Sequence, residues 1–268
     1  KKSILLFDRN SLLSVQAIES IRNFGLIGVY VLEPAEPLPP MTQEDLEFER
    51  FQIKAVSAIE EELDRILKTR KQSRIQTIAD MVIRNYGHLD EKINFYQNLR
   101  SLEDYVSRHS LNVAILCAMI THVMNIRREE QYHTVCAALL HDMGKLKKHE
   151  DVYFGAPYSR EDAIRNCETQ EEAYSVIEDA FATEGPAIRR ICQQAAGKQL
   201  DLFPEEGKES RYKMLEGSNV LLVANRYDEI TAMTLQGTAQ SEVKAAQELL
   251  EHPEVYDPET VQALLRSI

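Results

Sequence analysis

His141 and Asp142 stand side by side in the run His141-Asp142-Met143-Gly144-Lys145, and His109 opens an apolar helical stretch well upstream. Imidazole nitrogen and carboxylate oxygen, held on rigid elements, are the donors a divalent cation needs if it is to activate water for attack on phosphorus. An adjacent His-Asp pair can serve one centre if the backbone there is irregular, and Gly144 makes such a break natural. Taken alone, His109 reads as a helix-surface residue; with the His-Asp pair and Lys145 it reads as a metal ligand. Two histidines and one aspartate make half a site.

For His109 to reach the pair, two helices must pack antiparallel. The sequence predicts an apolar helix through Met124, a charged turn over residues 127–130, and a second helix through Ala137, Ala138, Leu139 and Leu140. Val113, Leu116, Cys117, Ile120 and Val123 form a helical stripe after His109, and Phe51, Val56, Ile59, Leu63, Ile66 and Leu67 form another. Ser159 with Asp162, and Asp257 before Pro258, mark later helix starts. A Gly-, Pro- and charge-rich loop is expected over residues 197–207.

The first forty residues differ in texture. Residues 3–7 and 27–32 are β-prone, and residues 14–24 between them have helical spacing that stops at Gly25, which predicts a small α/β module over 1–40. The start at Lys1-Lys2-Ser3, without Met, suits a fragment lacking a first strand or two. A Pro-rich break follows, and Thr42 with Asp45 signals a new helix. The expected architecture is mainly α, a helical domain over 41–268 preceded by that module.

Composition narrows the function classes. With 43 acidic against 31 basic residues the net charge is −12, and no basic face is available to neutralise a nucleic-acid backbone. No apolar run approaches bilayer length, so membrane insertion is excluded as well. Cys117, Cys136, Cys167 and Cys192 lack C-x-x-C spacing and read as reduced thiols of a cytoplasmic protein. His88, His122, His133, His149 and His252 have no partner pattern, Tyr105 reads as a packing residue one turn before His109, and Asp228 with Thr231 reads as either a structural or a catalytic pair.

The segments around His109 (Asp104-Tyr105-Val106-Ser107-Arg108-His109-Ser110) and His141 (Ala137-Ala138-Leu139-Leu140-His141-Asp142-Met143-Gly144-Lys145) resemble the HD superfamily of phosphohydrolases, specifically its HD-GYP branch. Val223-Ala224-Asn225-Arg226-Tyr227-Asp228-Glu229-Ile230-Thr231 resembles the branch's V-A-D-x-Y-D-A-L-T stretch, and the likeness extends over roughly 45–268. The resemblance implies an all-helical cytosolic fold and a phosphodiesterase acting on cyclic di-GMP with two or three metal ions, often iron or manganese. It assigns His109, His141 and Asp142 as metal ligands and Lys145 as the lysine that meets a substrate phosphate.

Four ligand positions depart from that pattern. Aligning Ala173-Tyr174 with the family's Gly-Tyr puts Thr169 where a histidine is expected and Gln193-Gln194 where the family has a His-His pair, while Asn225 replaces a metal-bridging aspartate and keeps only a neutral carbonyl oxygen. Thr234 falls where an arginine is usual, and the Gly-Tyr-Pro signature is reduced to Leu202-Phe203-Pro204. Neutral amides and hydroxyls are poor replacements for imidazole and carboxylate. The expectation is therefore a degenerate site with one ion or none, in a weakly active or inactive module that binds a nucleotide or phosphate ester and signals through a protein partner or a homodimer. The alternative is an active single-metal phosphohydrolase.

Overall fold

The computed structural model describes residues 14–23, 43–89, 104–146, 159–203, 213–232 and 240–268, and every regular element among them is helical. Of the α/β module expected over 1–40, the described part is the helix α1 (Val15–Asn23). The strand runs 3–7 and 27–32 and the Pro-rich break lie outside the described residues. No strand occurs among the described residues, so the α/β character has no structural support.

α2 (Gln43–Thr69) carries the predicted stripe, with Ile59, Leu63 and Ile66 wholly buried. It lies along α4 (Tyr105–Val123) and also meets α3 (Ile75–Tyr86), whose first turn is held by a distant carboxylate: Glu62 Oε1 accepts from Arg74 N at 2.9 Å. An anion at a helix N-terminus satisfies donors that have no partner within the helix.

The central helix is α4. Its residues from Leu111 to Thr121 are buried on every side, as expected of a helix apolar all round rather than along one stripe. It ends in a Schellman turn, in which Ile126 N donates to Thr121 O and Asn125 N to His122 O, both at 2.9 Å, with Asn125 at φ 54°. This turn folds α5 (Arg128–Leu140) back against α4. The charged residues expected to form the turn instead begin α5, where Glu129 and Glu130 sit favourably at the positive end of its dipole. The hairpin sets His109 opposite His141.

After α5 the chain tightens into a 3₁₀ turn, Met143–Leu146, beneath α6 (Arg160–Phe181). A Cβ on Gly144 would meet Thr169 O at 2.5 Å and Gln170 Oε1 at 2.7 Å, so only glycine allows α6 to cross this closely. Ser159 caps α6, accepting from Asp162 N at 3.2 Å, an arrangement worth about 1 kcal/mol. α7 (Gly185–Lys198) continues into a second 3₁₀ turn, Gln199–Leu202, so the start of the expected 197–207 loop is helical; Ala196 and Leu202 pack on the core and Lys198 pairs with Asp201 at 2.6 Å. α8 (Glu216–Thr231) fills the remaining side of α4, followed by α9 (Glu242–Glu251) and α10 (Pro258–Ser267), the last capped by Asp257 as predicted.

Candidate metal centre

Three elements converge at the end of the α4–α5 hairpin. α4 brings His109, the end of α5 brings His141 and Asp142, and α8 brings Asn225. The Nε2 atoms of His109 and His141 are 3.1 Å apart, and Asn225 Oδ1 lies 2.8 Å from the first and 2.9 Å from the second. Asp142 Oδ2 is 3.4 Å from His109 Nε2. One ligand atom from each of His109, His141 and Asp142 lies within 4.8 Å of the others.

The outward partners fix which atoms carry hydrogens. His109 Nδ1 donates to Asp228 Oδ2 at 2.6 Å, and His141 Nδ1 donates to Ala138 O at 2.8 Å. With the protons on Nδ1, both Nε2 atoms present lone pairs to each other, to a carbonyl oxygen and to a carboxylate. Four electron-rich atoms facing inward without a hydrogen among them repel unless a cation or a proton sits between them. The donor set, two imidazoles and two oxygens, fits a divalent transition metal. Carboxylate and carbonyl partners behind the imidazoles are the usual support of such ligands.

Charge supports the same reading. Burial lowers the His141 pKa to about 4, assisted by the nearby His109 and Lys145 and opposed by Asp142, so the ring is neutral at physiological pH. Burial alone would raise the Asp142 carboxyl; Lys145 and the two imidazoles overcome this and hold it below the ordinary carboxylate range. Lys145 Nζ is 2.7 Å from Asp142 Oδ2, and Gln170 Nε2 donates to Oδ1 at 3.2 Å. Glu229 is raised by burial, against the pull of Lys145 and Arg226.

The space bounded by these groups is about 30 Å³ and is lined in part by His141, Asp142, Lys145, Gln170, Asn225 and Glu229. That is room for an ion and about one or two waters. From α6 the cavity receives Asn166, Cys167, Gln170 and Tyr174, and from α7 and the turn after it Cys192, Ala195, Ala196 and Gln199. Thr169 is buried beside Gly144 but does not line this cavity. Gln193 Nε2 donates to Glu171, and Gln194 Oε1 accepts from Leu215 N at 2.9 Å and Ser218 Oγ at 2.8 Å, capping α8. The structure thus brings His109, His141, Asp142, Lys145 and Asn225 together and directs Thr169, Gln193 and Gln194 elsewhere. Thr234 and Pro204 lie outside the described residues, as does His149.

Sequence reasoning left the role of Asp228 open and missed several other participants. Asp228 orients His109 and is itself held by Asn112 Nδ2 at 3.2 Å. Tyr174 Oη donates to His141 O at 2.7 Å, and Gln170 Oε1 accepts from Gly144 N at 2.9 Å, so these two residues one turn apart fix the His-Asp backbone. The available signal was spacing: Gln170 and Tyr174, and Asn225 and Glu229, are each polar residues at i,i+4. Tyr105 packs as expected, stacked on the His109 ring with centroids 5.8 Å apart.

Comparison with known proteins adds a family likeness. Residues 106–233 match the family described as HD domain. Among solved structures, Bd1817, a HDG"Y"P protein from Bdellovibrio bacteriovorus, is similar with a TM-score of 0.55 at 16% identity, over 80% of this chain and 71% of that one, a likeness of fold. No match is found among curated proteins.

Proposed function

We propose that the chain is a degenerate HD-GYP-type module that holds one divalent cation and binds a phosphate-ester ligand in cyclic-dinucleotide signalling, with little or no hydrolysis; the match of residues 106–233 to the HD-domain family, one of metal-dependent phosphohydrolases, supports this reading. The observation that carries this reading is the inward convergence of His109 Nε2, His141 Nε2, Asp142 and Asn225 Oδ1, with every nearby donor hydrogen of the imidazoles directed outward. Among the described residues a second ion lacks a comparable set. The faces of α6 and α7 toward the cavity offer amides, thiols, methyl groups and a phenol, and the Glu229 carboxylate is engaged by the Asn225 amide.

A bound divalent cation supplies Lewis-acid polarisation of a phosphoryl oxygen and acidifies water. The chain's own residues do the rest. His109 is held in one tautomer by Asp228, Asp142 stays ionised beside Lys145, and the presence of the Lys145 ammonium in the cavity wall supports a role for it in neutralising phosphate charge. Free, buried Cys117, Cys136 and Cys192 support a reducing, cytoplasmic setting. Among the described residues no helix is long and apolar enough to cross a membrane.

Metal analysis of protein loaded with manganese or iron tests the reading. About one equivalent, lost in His141→Ala, supports it; about two equivalents overturn the single-ion assignment, and none removes the cation. Lys145 favours a second reading, an active single-metal phosphohydrolase whose substrate is a phosphate ester or nucleotide, or cyclic di-GMP. Manganese-dependent hydrolysis of a bis-aryl phosphate, abolished in His141→Ala, would establish that alternative and displace the regulatory one.

A further inference from the structure

Asn225 and Glu229 are four residues apart on α8 and so share a face of the helix. Asn225 Nδ2 donates to Glu229 Oε1 at 3.2 Å, while its Oδ1 faces the two imidazoles. The two ends of an amide have opposite chemistry but nearly the same shape, so a half-turn about the terminal bond would swap an oxygen donor atom for an NH2 group that no cation can use. Packing cannot choose between them; a charge at one end can.

Glu229 provides that charge. Its Oε2 is buried without a hydrogen bond, and Arg226 Nη1 is 3.7 Å away, an ion-pair distance too long for a hydrogen bond. Arg226 itself is bound to Glu248, through Nε at 2.8 Å and through Nη2. The carboxylate also lines the cavity with Asp142 and Lys145. A buried carboxylate left this sparsely compensated is costly unless positive charge is expected nearby.

We infer that Glu229 is a positioning residue for the cation: it holds the Asn225 amide with its carbonyl oxygen toward His109 and His141, making a neutral side chain a dependable ligand. This rests on the single-cation reading above. It differs from a simple contribution of negative charge, because an aspartate at position 225 has two equivalent oxygens and needs no such orientation.

The test is a cycle of Mn2+ affinities, measured by calorimetry with Mn2+ alone, together with the visible spectrum of bound Co2+ as a report on the ligand set. Glu229→Ala in the otherwise unchanged protein should weaken Mn2+ binding about 10–100-fold and alter the Co2+ spectrum. In the Asn225→Asp background the same Glu229→Ala change should weaken binding clearly less, since an aspartate needs no orienting partner and only the carboxylate's charge is lost. Equal weakening in both backgrounds would mean that Glu229 acts through charge or fold, and would overturn the positioning role while leaving the cation reading intact. Failure of the unsubstituted protein to take up Mn2+ would overturn both. Should Glu229→Ala not fold, Glu229→Gln reads the same cycle, because a glutamine amide can pair with either end of Asn225 and so abolishes the preference.

Discussion

Asp228 Oδ2 lies 2.6 Å from Nδ1 of His109, joining α8 to the buried N-terminal part of α4. Asp228 Oδ1 is held in turn by Asn112, one helical turn from His109. A ring gripped from behind in this way presents its Nε2 lone pair in one direction only. Asp228→Asn keeps the shape but offers the ring a weaker acceptor, and is expected to reduce Mn2+ affinity about 10–100-fold. Calorimetry measures it, and a thermal melt of the same variant shows whether the fold is retained. Unchanged affinity would separate Asp228 from the cation.

Acid should destabilise the metal-free protein through His141. Its pKa falls from 6.5 to about 4 on folding, so in this window the unfolded chain binds a proton that the folded chain refuses. The contribution is therefore fully present above the ordinary imidazole value and is lost as pH drops from 6.5 toward 4. Urea midpoints in the presence of chelator should decline across that window in the unsubstituted protein, and less steeply in His141→Gln. Equal slopes would contradict the burial of a neutral ring.

Gly144→Ala forces a methyl group against the Thr169 carbonyl and the Gln170 amide. The backbone of α6 cannot yield as a flexible side chain would, so a loss of about 1–3 kcal/mol is expected. Denaturant unfolding reads the loss directly. Because Gln170 also holds Asp142, Mn2+ affinity should fall in the same variant.

Lys145→Gln removes the ammonium that lies 2.7 Å from Asp142 and faces the cavity. Affinity for inorganic phosphate in the presence of Mn2+ should drop at least about tenfold, the loss of one charge-assisted hydrogen bond. Metal stoichiometry should stay the same, since His109, His141 and Asn225 are untouched. If phosphate binding survives, another group meets the anion.

Much of the fold could be read from local chemistry. Ser159 and Asp257 cap the helices they were expected to begin, and Ile59, Leu63 and Ile66 are buried as their spacing required. Charge predicts the turn between α4 and α5 over residues 127–130, but the break is made by Asn125 in a left-handed conformation, and the charges stabilise the start of the next helix. The strands expected before residue 40 fall outside the described residues.

At the centre, sequence alone determined the chemistry on offer: an adjacent imidazole and carboxylate, an upstream imidazole and a lysine, because those capacities belong to residue types. Only the tertiary structure decided direction. Successive residues on a helix point about 100° apart, so a shift of one or two positions separates Gln170 in the cavity wall from Thr169 beside it, and Cys192 and Ala195 from Gln193 and Gln194. The same packing turned Asp228 toward His109 and aimed at the cavity the Asn225–Glu229 pair that helical spacing alone brings together. Those pairings depend on how α8 rests against α4 and on its own helical register, and the spacing of residues within one helix contains no term for where a neighbouring helix will lie.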